Sequence, residues 1–246
     1  MTSDHNIWIE ADWPAPEHVR AGTTVRKGGC SQTPFDELNL AQHVEDKTEN
    51  VLENRRILTQ HLNLPSEPVW LNQTHSSRII HIDSSSEDSD ADASYATQKN
   101  TICAVMTADC VPVLFCNKEG DKIAAIHAGW KGICAGILEN AVQTLNSPET
   151  LIAWIGPCIS AANYEVGRDV FQNCLNHSEL LSKGFEQTNP DHWLCDLVEI
   201  VKILLKNCRV GAIYECNLCT HENAELFYSY RRDGITGRTA SLVWME

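Results

Sequence analysis

His75, Cys110 and His127 are the residues whose types and positions best suit a chemical site. His75 ends the stretch Asn72-Gln73-Thr74-His75, and Cys110 follows the polar interruption Thr107-Ala108-Asp109. His127 closes an apolar run and precedes Ala128-Gly129-Trp130-Lys131-Gly132. Each is expected at or just after a strand end, where loops held by rigid strands assemble sites. Two imidazoles and a thiolate make a zinc set, with water or substrate in the fourth position. Zinc there would lower the pKa of its water toward neutrality. A cysteine–histidine nucleophilic pair is the metal-free alternative. Spacing alone does not establish that the three residues meet.

Other segments carry weaker signals. Cys216-Asn217-Leu218-Cys219 could be a zinc knuckle or a redox dithiol, but no second CxxC completes a four-cysteine site. Thr220 before His221 excludes a haem-attachment sequence. Gly28-Gly29 and the glycines of 127–136 fit neither a nucleotide-binding P-loop nor GxGxxG, and read as tight turns. Phe227-Tyr228-Ser229-Tyr230 precedes Arg231-Arg232-Asp233-Gly234. Arg231 or Arg232 could clamp a phosphate while an aromatic ring stacks on a planar base. Arg26, before the glycine turn, is a further anion-binding candidate. The alternative is that these arginines pair with surface acids and the aromatics fill the core.

The elements that must hold these residues alternate irregularly. Strands are expected at 7–9, 21–25, 69–71, 101–106, 111–116, 122–126, 151–155, 210–214 and 242–244. Helical spacing marks 46–63, 131–142, 166–175 and 197–206. Strands mixed with helices, without clean strand–helix repeats, favour an α+β fold. No linker or repeat interrupts the chain, so residues 1–246 are expected to form one catalytic domain. Residues 83–92, DSSSEDSDAD, read as an exposed acidic loop. Asp88, Asp90 and Asp92 could instead hold calcium, although the glycine and glutamate of a standard calcium loop are missing.

Composition narrows the class. A net charge of −14, from 33 acidic and 19 basic residues, argues against nucleic acid and against an anionic membrane as partner. Eleven cysteines, an odd number, and a start without a basic leader and apolar core point to buried thiols in a reducing, cytoplasmic setting.

The segments TVRKGGCSQTPFDELNLAQHV, NQTHSSRI, MTADCVPVLF, AAIHAGWKG, IGPCISAANYEVG and CTHENAELFYSYRRDGITGR together closely resemble the YfiH-like family, also called the multicopper polyphenol oxidoreductase or laccase-domain family. The matches run in order from about residue 23 to residue 244. The resemblance implies a mixed β-sandwich flanked by helices, a four-layer αββα arrangement. It carries the family's His-Cys-His metal site onto His75, Cys110 and His127. Arg26 and Arg231-Arg232 match pocket regions, Cys219 matches the late CT element, and Cys216 is an accidental neighbour.

The resemblance implies several activities. One is a purine nucleoside phosphorylase that also acts on methylthioadenosine and deaminates adenosine, with a purine nucleoside and phosphate as partners. Another is editing of muropeptide precursors by amide hydrolysis, and a third is a copper-dependent laccase. A non-enzymatic zinc-binding or partner-binding domain is the plainest alternative. One cysteine and two histidines lack the several copper centres that oxygen reduction uses, so zinc is expected, with copper as the alternative metal. Arg26, Arg231 or Arg232 would hold phosphate, and Asp109 would shuttle a proton or orient a backbone turn. Oligomeric state is not legible in the sequence.

Overall fold

The computed structural model describes residues 6–83 and 89–246. Strands β1 (Trp8–Glu10) and β2 (Val19–Thr24) come first, followed by helix α1 (Thr48–Leu62). Strands β3 (Ile79–His81), β4 (Ala93–Ala96), β5 (Ile102–Thr107), β6 (Val111–Asn117) and β7 (Ile123–Ala128) lead to helices α2 (Trp130–Cys134) and α3 (Ile137–Leu145). Next come β8 (Leu151–Ile155), β9 (Glu165–Gly167), α4 (Arg168–His177), β10 (Phe185–Asn189) and β11 (His192–Cys195). Helix α5 (Leu197–Asn207), β12 (Ala212–Glu215), α6 (Tyr230–Asp233) and β13 (Thr239–Met245) complete the order.

Two large sheets form the body. One is antiparallel, in the order β1-β2-β13-β5; the other is mixed, in the order β12-β8-β6-β7-β4-β3. Strand alternation decides which residues meet. Cys103 and Val105 of β5 and Val243 and Met245 of β13 face Leu114, Cys116, Ile123 and Ala125 of the second sheet. The opposite faces of β5 and β13 bury Ile102, Ala104, Leu242 and Trp244 beneath α1, through Leu58. On the far side, Val113, Phe115, Ala124 and Ile126 pack against apolar residues of α3 and α5, including Leu138 and Val201. The result is the expected α+β, four-layer αββα sandwich, with a small third sheet, β10-β11-β9, added beside the helices.

Local chemistry explains most boundaries. Asp196 caps α5 by accepting from the Glu199 N–H at 2.8 Å. Asn63 ends α1 in the left-handed conformation just before Leu64-Pro65. The single helix expected over 131–142 is two helices, because Gly136 takes a φ of 86° and breaks the ladder. The strand expected at 69–71 reduces to one bridge between Val69 and Cys103. The helix expected from 166 starts at Arg168, since residues 165–167 pair with β11.

Asp83 and Asp92, at the two ends of the acidic stretch, depart from its reading as a solvated loop. The Asp83 side chain is 3% exposed and accepts from the Thr97 and Gln98 N–H groups. Asp92 is fully buried. Of the calcium candidates, Asp88 lies outside the described residues. Asp90 accepts from the Asn72 amide, and both Asp92 oxygens are engaged by the protein. No helix among the described residues is long and apolar enough to cross a membrane.

Candidate metal centre

Strand pairing at one end of the two sheets builds the site. Val111 pairs with Ala128 and Pro112 with His127, so Cys110, just before β6, arrives beside the end of β7. His127 lies on the same face of β7 as Ile123 and Ala125, at the open end of the layer between the sheets. The Thr239–Thr107 pair brings Arg238, just before β13, to that same end.

His75 comes from the loop before β3, where it holds a φ of 60°. Asp92 fixes this loop. Its carboxylate accepts from three consecutive backbone N–H groups, those of Thr74 (3.1 Å), His75 (3.0 Å) and Ser76 (2.6 Å), and from the Ser76 hydroxyl. The same carboxylate lies 2.8 Å from Nδ1 of His127, whose backbone N–H donates to the Asp92 carbonyl. Burial alone would raise the Asp92 pKa. The hydrogen bonds from His127 and Ser76 overrule it and hold the value at about 2.

The metal-ligating atoms of His75, Cys110 and His127 all lie within 4.8 Å of one another. Cys110 Sγ is 3.9 Å from His75 Nε2, and the two imidazoles meet edge to face with centroids 4.8 Å apart. A sulfur and a nitrogen on one tetrahedral zinc would sit about 3.6 Å apart, so a small contraction seats the ion. Gly129 keeps the space open, because an added Cβ would lie 2.8 Å from the His75 ring and 3.0 Å from Cys110 Sγ. Burial pushes the Cys110 thiol up, but His127 and His75 pull it down to about 6. Burial likewise disfavours charge on His127, yet the Cys110 thiolate and Asp92 raise it to about 9. The metal-free cluster is therefore a thiolate–imidazolium pair near neutral pH. Its donor set suits a soft divalent ion with one position left open.

These three residues line a cleft of about 300 Å³ together with His43, Tyr230 and Arg238. Among the described residues no other group of three or more His, Cys, Asp or Glu gathers its ligand atoms in this way. The CxxC segment forms no such site. Cys219 Sγ accepts from the Ser160 N–H, while Cys216 packs against the core between the sheets and burial raises its pKa to about 11.

The other candidates fall differently. Asp109, with a φ of 93°, accepts from the hydroxyls of Thr220 and Ser229 and from the Arg231 N–H. Both its oxygens thus tie the Cys110 turn to the segment after residue 219; of the two roles considered for it, this geometry is the orienting one. Arg26 donates to Asp36 and the Ala224 carbonyl and lies over the Tyr228 ring. Arg232 donates to the carbonyls of Thr220, His221 and Phe227 and pairs with Asp233. In both, the guanidinium donors are engaged by protein acceptors, the arrangement weighed above as the alternative to holding phosphate. Arg231 donates to the Glu165 carbonyl and lies over the Tyr164 ring, and it is not among the residues lining the cleft with the trio. Phe227 and Tyr228 are core residues, whereas Tyr230 is 62% exposed and lines the cleft. The sequence offers Asp92 only as a calcium candidate within an acidic run, and nothing in it singles out Arg238, which stands alone among small residues.

An αββα sandwich with a His–Cys–His cluster at one end is the class that fold and site define. The multi-copper polyphenol oxidoreductase laccase family model matches residues 20–246, and the chain belongs to this family. The chain is 43% identical to a purine nucleoside phosphorylase of Pseudomonas aeruginosa, over 98% of this chain and 99% of that protein. It is also 43% identical to purine nucleoside phosphorylase YfiH of Escherichia coli, over 96% and 98% of the two chains. The crystal structure of a Neisseria meningitidis protein of the DUF152 family superposes with a TM-score of 0.94 at 41% identity, covering 98% of this chain and 100% of that one.

Proposed function

We propose that the chain is a zinc-dependent purine nucleoside phosphorylase acting from the cleft at His75, Cys110 and His127, and that the same site cleaves methylthioadenosine and deaminates adenosine. The observation that carries the reading is the three-ligand cluster on the wall of a cleft of about 300 Å³, a size that accepts a nucleoside, with no fourth His, Cys, Asp or Glu among the described residues joining it. The names of the relatives, 43% identical over nearly full length, support the same reaction.

Zinc, held by His75, Cys110 and His127, would supply Lewis acidity for the reaction. The protein's own groups do the rest. Asp92 accepts from Nδ1 of His127 and so fixes the tautomer in which Nε2 would be free to hold a metal. Cys110 contributes a thiolate, which partly neutralises the dication. Tyr230, exposed at the cleft, offers a ring on which a purine stacks. In phosphorolysis a phosphate oxygen bonds to the sugar C1′ as the bond from C1′ to the base breaks. The electron pair leaves on the base nitrogen, and the proton of monohydrogen phosphate balances it.

The active unit is the whole chain as one catalytic domain, since cleft residues run from His43 to Arg238. Eleven free cysteines, many of them buried, support work in the reducing cytoplasm. Zinc is favoured over a multicopper set because the described residues hold one ligand cluster.

The test is base release from inosine, adenosine and methylthioadenosine by zinc-loaded protein, with and without phosphate, alongside ammonia release from adenosine. Phosphate-dependent release of free base is expected. Its absence from all three nucleosides sinks the reading. Hydrolysis of a serine-containing muropeptide precursor in the same preparation would move the assignment to amide chemistry.

A further inference from the structure

With Arg26 and Arg232 engaged as clamps, the cleft requires another cation if it is to hold an anion. Arg238 stands in the segment between α6 and β13, where its backbone is gripped on both sides. Its N–H donates to Asn39 Oδ1 at 3.0 Å, and its carbonyl accepts from the Leu40 N–H. The side chain then doubles back on its own loop, Nη1 donating to the carbonyls of Thr236 and Gly237, each at 2.9 Å. Those two bonds fix the plane of the guanidinium.

The remaining edge is unpartnered. Nε and Nη2 donate to no protein acceptor, and no carboxylate comes within ion-pair distance, among the described residues. Arg26 and Arg232, by contrast, pair with Asp36 and Asp233. Nε and Nη2 form the side of the guanidinium fork that matches two oxygens of one tetrahedral anion. Arg238 is half-buried, so that edge has given up part of its water without gaining a protein acceptor.

A second observation points to the same place. The Thr236 hydroxyl belongs to a side chain only 2% exposed and has no hydrogen-bond partner among the described residues. A buried hydroxyl left in this state costs free energy unless a ligand or ordered water completes it. Thr236 and Arg238 line a hollow of about 270 Å³, which shares His43, Tyr230 and Arg238 with the cleft holding the metal cluster. Glu45 also lines the hollow, exposed and outside ion-pair distance of Arg238. The two cavities are thus adjoining rooms with Arg238 and Tyr230 in the partition.

We propose that the hollow beside the metal cluster is the site for inorganic phosphate, held by the free edge of Arg238 and completed by the Thr236 hydroxyl. The identification of the anion as phosphate rests on the phosphorolytic reading; the site itself rests on the unpartnered groups. Two oxygens go to Nε and Nη2, and a third accepts from the Thr236 hydroxyl, which is sealed from solvent in this conformation and turns to the anion by rotation about χ1. A nucleoside in the neighbouring cleft would then have phosphate on one side and the metal cluster on another. Arg238 is the specificity group for the second substrate.

The test uses zinc-loaded, full-length protein with inorganic phosphate as the probe, read by calorimetric titration and by the KM for phosphate. Arg238→Gln removes the charged fork, and Thr236→Val removes only the hydroxyl at nearly constant shape. Arg238→Gln is expected to weaken phosphate binding roughly 10- to 100-fold, the loss that goes with charge-assisted hydrogen bonds. Thr236→Val is expected to weaken it about 5-fold. In both variants the KM for nucleoside and the zinc content should stay within about 2-fold of wild type, a split that general misfolding would not produce. Unchanged phosphate binding in both variants, with zinc retained, overturns the proposal even if the wild type is a phosphorylase. Conversely, phosphate binding that depends on Arg238 and Thr236 in a protein without phosphorolysis upholds the site and refutes the reaction.

Discussion

The Asp92 carboxylate lies 2.8 Å from Nδ1 of His127 and, through its other contacts, 3.0 Å from the backbone nitrogen of His75. One buried acid therefore sets the ring orientation of one candidate ligand and the backbone position of another, 17 residues away in sequence. Asp92→Asn keeps the shape but turns an NH2 toward groups that already donate. Zinc affinity should fall roughly 10- to 100-fold, as removal of a partner behind a metal-bound histidine does. Stability should fall by about 1–3 kcal/mol. Chelator competition and thermal melts measure the two effects; full zinc affinity in the variant would show that Asp92 acts on the fold alone.

Purified protein prepared without added copper should carry about one zinc, as a three-ligand catalytic site predicts. Cys110→Ala should abolish stoichiometric metal while leaving the circular dichroism spectrum intact. Cys216→Ala should keep the metal, because that side chain packs against the core away from the cluster. Elemental analysis decides. Zinc lost from the Cys216 variant and kept in the Cys110 variant would move the site, and several coppers coupled to oxygen consumption would restore the oxidase reading.

Metal affinity should depend on pH with a calculable sign. Cys110 ionises at about 6, and His127, raised to about 9, still carries its proton through neutral pH. Binding between these values displaces one proton, from His127, so affinity rises with pH by about tenfold per unit. Below about 6 the thiol must also be deprotonated, and the slope steepens toward two. Above about 9 it flattens. Zinc titration against a buffer series of chelators reads this directly, and a flat profile from 6 to 9 would mean that no proton on the cluster competes.

Gly129→Ala tests the tight contact from the metal's side. The new methyl group would sit 3.0 Å or less from both the His75 ring and Cys110 Sγ. The ligands must separate or the chain must shift, at a cost of about 1–3 kcal/mol. Weaker zinc binding with a modest fall in Tm is expected; an unaffected metal site would show that the cluster has slack that the geometry does not suggest.

The sequence showed the ligands more clearly than the groups that orient them. Among eleven cysteines and ten histidines, His75, Cys110 and His127 stand out because each falls at or just after a strand-like run and because the family resemblance carries its metal site onto them; β6 and β7 announce themselves as apolar runs. Asp92 is different. Local composition places it in a run of acids that should be solvated, and only the 35-residue contact with His127 gives it a reason to be buried. Arg231-Arg232 draws attention as a pair, yet Arg232 turns wholly to protein acceptors, while the solitary Arg238 spends only Nη1 on carbonyls and keeps Nε and Nη2 without a protein acceptor among the described residues. Charge is visible in a sequence; whether a charge already has a partner is a tertiary property. The hairpin of β10 and β11 was missed for a similar reason, since β10 is largely exposed and has no apolar alternation to mark it.

Strand β13 inserts between β2 and β5, and the hydroxyls of Ser241 and Thr23 meet across a separation of 218 residues. Read in time instead of space, this means that strands made more than 200 residues apart share one sheet. During synthesis β2 must wait on the order of ten seconds or longer for its neighbour, with its pairing edge open. The trio is encoded well before that moment, but Tyr230, Thr236 and Arg238 emerge just ahead of β13. A nascent chain can thus possess every candidate metal ligand and still lack the wall that makes the cleft a pocket, so metal capture is able to precede substrate competence.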